Sequence, residues 1–242
     1  MSCKLPNKIW ILWLQGWGEA PEIAISSRDS WTLRNPAWNV HCLSRKNLND
    51  FLPHRITSEI FEQTKEPAAQ SDRIRIELLA KYGGVWADAT TICIEPLDKW
   101  LDHNLKEGFF AFSKPGGERP LSSWFIAADL DNYIVNYWRD ATRKIWRNSP
   151  PKEYFWFHNL FKEALEYDSE FLRIWELVPK ISAQHSLHLG PGHAKELQDA
   201  PNQERIKAFK EMIAPVAKLT HKAGNPKPGS LFKEILKITC PR

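Results

Sequence analysis

The stretch SDRIRIELLAKYGGVWADAT, residues 71–90, limits what this chain can fold into more than any other. Ile74, Leu78 and Tyr82 recur every four residues and predict a helix with one buried side. Asp72 and Arg75, three apart, share a face of that helix. Gly83-Gly84 supplies the left-handed conformation that ends a helix without a Cβ clash. Val85-Trp86-Ala87 then reads as a short buried strand with Asp88 where it runs out. Ligands of open α/β sheets bind at the carboxyl ends of strands, so the segment presents two carboxylates and a guanidinium to one crevice.

Taken singly, each part is ordinary: a helix cap, a surface ion pair, a turn. The conjunction SDxxRxxxLxxxGGxWxDxT is not. It resembles the core signature of DXD-type sugar transferases of the GT-A fold, a group that spans capsular polysaccharide synthesis proteins, yeast-type initiating mannosyltransferases and the glucosyltransferase domains of clostridial toxins. The capsular proteins are also echoed in KIWILWLQGW at 8–17, SSWFIAA at 122–128 and PVAKLTHK at 215–222. The resemblance implies an α/β, GT-A-like single domain over 1–242, with a mostly parallel central sheet flanked by helices. It implies a nucleotide-sugar-binding half to about residue 100, then an acceptor half with a closing C-terminal loop. It implies a bacterial hexosyltransferase, retaining and using a UDP-linked sugar, that extends a surface polysaccharide. The alternative is an inactive nucleotide-sugar-binding or capsule-assembly scaffold of the same fold.

Carried over by position, the resemblance makes Asp88, Asp72 and Arg75 catalytic. It adds Trp13, Gln15, Gly84, Trp86, Thr90, His221 and Lys222 as substrate contacts. The motif's second Asp is Thr90 here, a poor ligand for Mg²⁺ or Mn²⁺. A Mn²⁺ or Mg²⁺ cofactor would then rest on Asp88 and His221, with Glu95 and Asp98 as downstream carboxylates. Without a metal, the cationic His221-Lys222 pair would meet the diphosphate. Trp156 or His158, in the aromatic run 154–158, are candidates for the acceptor groove. His185, His188 and His193 fit neither helical nor finger spacing for zinc.

Composition narrows the rest. At 242 residues the chain suits one sizeable domain and is too short for two full Rossmann units. A net charge of +4, spread along the sequence, lacks the clustered basic stripe of nucleic-acid binders. Cys3, Cys42, Cys93 and Cys240 form no C-x-x-C pair, which points to free thiols and a cytoplasmic setting. The opening apolar run is short and tryptophan-rich, a first strand rather than a leader. Leu231, Phe232, Ile235 and Leu236 with Lys233 and Lys237 outline an amphipathic helix. Through residues 229–242 it would touch the inner membrane face peripherally, where a lipid-linked saccharide acceptor would lie. The pattern also predicts helix over Glu204–Lys218 despite Pro215.

Overall fold

The computed structural model describes residues 5–185 and 187–240. Cys3 lies outside them, and Cys42 and Cys93 are free thiols. Strand β1 (Lys8–Leu12) pairs in parallel with β2 (Asn39–Leu43), and helix α1 (Glu22–Arg34) crosses between them. Two further helices, α2 (His54–Gln63) and α3 (Pro67–Tyr82), lead to β3 (Gly84–Ala87), parallel to β1 on its other edge. After β4 (Thr91–Cys93) and α4 (Leu97–Asn104), β5 (Phe109–Ser113) and β6 (Leu121–Ala128) complete the sheet. The order is β2-β1-β3-β6-β5. Only β6 is reversed, being antiparallel to both β3 and β5. Four strands therefore share one direction, and the expected mostly parallel α/β sheet is present. Helices α5 (Tyr133–Asn148), α6 (Trp156–Tyr167) and α7 (Ser169–Leu177) follow.

The chain then returns. After α8 (Ala194–Gln198) and α9 (Gln203–Lys210), β7 (Val216–Lys218) pairs antiparallel with β4, and α10 (Leu231–Thr239) closes the described chain. The predicted helix over Glu204–Lys218 is thus corrected. It stops at Lys210, and the residues around Pro215 turn into a strand whose backbone partners are Thr91 to Cys93. Proline removes a donor and clashes within a helix, so this end is physically expected. The ribbon has its own core, in which Ile92, Leu219, Phe209 and Leu231 are buried together.

That second core also corrects the membrane-facing reading of the last helix. Leu231, Phe232 and Ile235 are 0% exposed and Leu236 is 5%. Each of the first three side chains contributes about 2 kcal/mol by burial, so lifting the helix off would forfeit roughly 6 kcal/mol. The apolar face belongs to the fold. Among the described residues no helix is long and apolar enough to cross a membrane. Ten of the twelve tryptophans are buried, with Trp13 and Trp17 partly so.

The Gly83-Gly84 break works as its sequence suggests. Gly83 has φ +61° and its N–H donates to the Leu79 carbonyl at 2.9 Å, ending α3. At Gly84, φ +91°, an added Cβ would lie 2.6 Å from the Lys8 carbonyl oxygen in β1. Gly84 is therefore a packing requirement of the β1–β3 pair, not the substrate contact that the motif resemblance implied. Gly84→Ala should destabilise the protein by about 3 kcal/mol, backbone strain and overpacking together. Gly224→Ala, also at positive φ but with open space around it, should cost only about 1 kcal/mol. Urea unfolding of the two variants checks the difference.

Candidate active site

β1 and β3 are parallel neighbours, so their carboxyl ends lie side by side. A cavity of about 350 Å³ opens there, small within the range of ligand pockets. Trp13, Gln15, Asp72, Arg75, Trp86, Asp88, Thr90 and His221 all line it. Ser71 and Ser123 add hydroxyls, and Tyr154 and His158 contribute from the α6 end. Of the ten predicted site residues only Gly84 and Lys222 are not among the lining groups. Lys222 is exposed on a short 3-10 turn, His221–Ala223. Of the aromatic run, His158 lines the cavity while Trp156 is 5% exposed and packs on Trp146.

At the centre is Arg75, whose side chain is 4% exposed. Its Nη1 donates to Asp72 Oδ1 at 2.6 Å and its Nη2 to Asp88 Oδ1 at 3.0 Å. The guanidinium carbon sits 5.0 Å from the Trp86 ring centroid. Trp86 Nε1 donates to Asp88 Oδ1 at 2.9 Å, so the strand's last aromatic orients its terminal acid. The Asp88 N–H donates to the Trp124 carbonyl at 2.9 Å and its carbonyl accepts from Thr91 at 2.9 Å. This carboxylate is fixed from backbone and side chain alike.

A further cation was not singled out in the sequence. Lys218, the last residue of β7, donates from Nζ to Asp88 Oδ2 at 2.9 Å and to Thr90 Oγ1 at 2.7 Å. It is 130 positions from Asp88 in the chain, and only the β4–β7 register, pairing Thr91 with Lys218, brings it there. PVAKLTHK marked the right segment; His221 and Lys222 drew notice because they sit on the loop, whereas the strand supplies the nearer charge.

Charge placement sets the protonation states. Burial acts to raise Asp88, but Lys218 and Arg75 hold its carboxyl below the usual carboxylate range. Burial pushes Asp72 up to about 6, with Arg75 pulling the other way. Burial, then the nearby Arg75 and Arg119, pushes the His158 imidazole down to about 3. His221 is lowered by burial and by Lys218 and Lys222. Its ring meets Trp13 edge-on at 5.9 Å. Trp13 Nε1 and His158 Nδ1 have no hydrogen-bond partner among the described residues, leaving polar capacity at the cavity wall for a ligand.

The expected Mn²⁺ or Mg²⁺ on Asp88 and His221 does not fit these residues. Both Asp88 oxygens are already engaged by cations. Thr90 Oγ1 accepts from the same ammonium. Among the described residues no group of three or more His, Cys, Asp or Glu is arranged to hold a metal ion. Asp98 is drawn away, accepting from Trp38 Nε1 at 2.9 Å. Glu95 follows β4 and does not line the cavity. His185, His188 and His193 likewise form no ligand group; burial pushes the first two down to about 4.

The fold and site define a glycosyltransferase-type domain, and comparison with known proteins agrees. The capsular polysaccharide synthesis protein family matches residues 2–235, and the chain belongs to it. Two similar curated proteins are the O-glycosyltransferase braB of Annulohypoxylon truncatum and the glycosyltransferase afumC of Aspergillus fumigatus. The first is 24% identical over 175 residues, 64% of this chain and 41% of the relative. The second is 28% identical over 158 residues, 58% of this chain and 40% of the relative. The chain thus spans about two fifths of the length of these relatives. Among solved structures, the glycosyltransferase GlyE of Streptococcus pneumoniae superposes with a TM-score of 0.55 at 10% identity, covering 99% of this chain and 61% of that one. The bifunctional glycosyltransferase WbbM gives 0.50 at 11%, covering all of this chain and half of that one. These structural likenesses establish the fold.

Two outcomes follow from the buried charges. Arg75→Lys should cost about 3 kcal/mol in urea unfolding, since an ammonium cannot fork between two carboxylates and leaves buried charge uncompensated. An exposed pair would lose under about 1 kcal/mol. His158, neutral in the folded state, takes up no proton where the unfolded chain does, so it withdraws stability as pH falls from about 6.5 towards 3. Asp72 works in the opposite sense, protonating first in the folded state as pH falls from about 6 towards its ordinary value. The His158 ring resonances should therefore stay unshifted between about pH 7 and pH 5. His158→Gln should flatten the acid loss of stability over that interval.

Proposed function

We propose that this domain transfers a sugar from a nucleotide sugar, UDP-linked, to a saccharide acceptor, with retention of anomeric configuration. The observation that carries the reading is the Asp72–Arg75–Asp88 cluster, held at the carboxyl end of β3 beneath an open cavity. Family membership and the glycosyltransferase relatives support the reaction class. The curated relatives are fungal and yeast proteins. A bacterial surface-polysaccharide acceptor, lipid-linked or free, draws on the family description alone. The glycosyltransferase relatives favour an enzyme over an inactive scaffold.

In this mechanism the bond between the anomeric carbon and the β-phosphate oxygen breaks, and its electron pair leaves with the diphosphate. A new bond forms from the acceptor hydroxyl oxygen to the same face of the anomeric carbon. The hydroxyl proton passes to the departing phosphate oxygen. The protein's task is to orient the sugar and to stabilise charge on the leaving group. Among the described residues Asp88 Oδ2 accepts only from Lys218, so it retains a lone pair for a ribose or sugar hydroxyl. Among the described residues Asp72 engages only Oδ1, on Arg75, and can accept through Oδ2. Trp13 offers an apolar face and a donor at the rim. His158, neutral, can accept from or donate to an acceptor hydroxyl.

Asp88→Asn should remove a charge-assisted hydrogen bond worth about 1.5–3 kcal/mol. Nucleotide-sugar affinity should fall about tenfold or more and turnover should be nearly lost. A thermal-shift screen of nucleotide sugars followed by a transfer assay measures both. Unchanged binding and turnover in this variant would remove Asp88 from the donor site.

A further inference from the structure

We propose that the Lys218 ammonium is the cation that stabilises the departing diphosphate, so that transfer at this site proceeds without a divalent metal. The inference rests on the nucleotide-sugar reading above and names the group that meets the leaving charge.

Position is the first argument. Lys218 Nζ bridges Asp88 Oδ2 and Thr90 Oγ1, the two side chains of the tripeptide that would have to hold a metal. A divalent ion there would have to displace an ammonium whose side chain is 12% exposed, and would lie beside the Arg75 guanidinium as well. Like charges at this spacing disfavour each other strongly in a poorly solvated site. Charge arithmetic points the same way. A second carboxylate with a divalent ion carries a net charge of +1, and neutral Thr90 with Lys218 carries the same.

Rigidity is the second argument. Lys218 is held on both sides of its backbone. It sits opposite Thr91 in the β4–β7 ribbon. Its N–H donates to the Leu187 carbonyl at 3.1 Å, and its carbonyl accepts from Leu189 at 2.6 Å. Leu219, next along, donates to the Thr90 carbonyl at 2.9 Å. The ammonium is aimed before any ligand arrives, which is the condition for effective electrostatic stabilisation. An ammonium has three donors. Two meet Asp88 and Thr90, leaving the third for a diphosphate oxygen as the anomeric bond breaks and its electron pair moves onto that oxygen.

The test uses the unaltered protein first. UDP affinity by calorimetry and nucleotide-sugar turnover should be unchanged, within about twofold, between chelator-treated protein and protein supplied with Mn²⁺ or Mg²⁺. Lys218→Met should lower kcat by roughly a hundredfold or more, with the loss not repaired by added metal. Lys218→Arg, which keeps the charge, should recover a measurable part of it. Circular dichroism and urea unfolding show whether each variant is folded; if Lys218→Met is not, the chelator comparison still decides. Turnover abolished by chelator and restored by metal would overturn this inference while leaving the transferase reading standing. So would full turnover in a folded Lys218→Met. Absence of both UDP binding and nucleotide-sugar turnover in the unaltered protein would overturn both.

Discussion

The buried guanidinium of Arg75 is the interaction on which the rest of the site depends. A charge removed from water costs several kcal/mol unless it is paired and hydrogen-bonded. Arg75 is paired through its two Nη atoms only where α3 and the end of β3 approach closely enough for one fork to reach both Asp72 and Asp88. The Trp86 ring beneath it excludes water and contributes a favourable quadrupole. Two acids and two bases, Asp72, Asp88, Arg75 and Lys218, then balance in one small volume. Any one of them displaced leaves its partners buried and uncompensated, so helix, strand and returning ribbon are held in a single relative arrangement.

That arrangement has a geometric origin in the sheet. Because β1 and β3 are adjacent and parallel, the residues after β1 and those after β3 emerge at the same end. Trp13 and Gln15 face Asp88 and Thr90 for this reason alone. Close approach of the two strands requires glycine at position 84, where a side chain would strike the β1 backbone. The glycine pair therefore acts twice, ending α3 and permitting the strand pairing that forms the cavity.

The C-terminal segment completes the site from outside the main sheet. β7 joins β4 in a separate two-stranded ribbon, and α8 to α10 cover it with an apolar core of their own. This explains why the last helix is amphipathic: its apolar face anchors the ribbon that delivers Lys218. His221 follows at the cavity edge, while Lys222 turns to solvent.

The sequence by itself determined the central unit. The four-residue apolar repeat, the glycine pair and the short Val-Trp-Ala run fix α3, the turn and β3 by local geometry, and they fix Asp72, Arg75 and Asp88 with them. Trp13, Gln15 and His221 were named through the motif resemblance, and the fold sets all three at one cavity. Only tertiary structure decided the rest. Pairing of β7 with β4 joins residues more than a hundred positions apart, and no local propensity encodes such a register; Pro215 marked a break but not its partner. Lys218 stood unnoticed for that reason, one lysine among many until a long-range strand pair set it against Asp88. The fate of α10 was likewise undecided by its pattern, since an amphipathic face fits a core or a membrane equally until its neighbours are known.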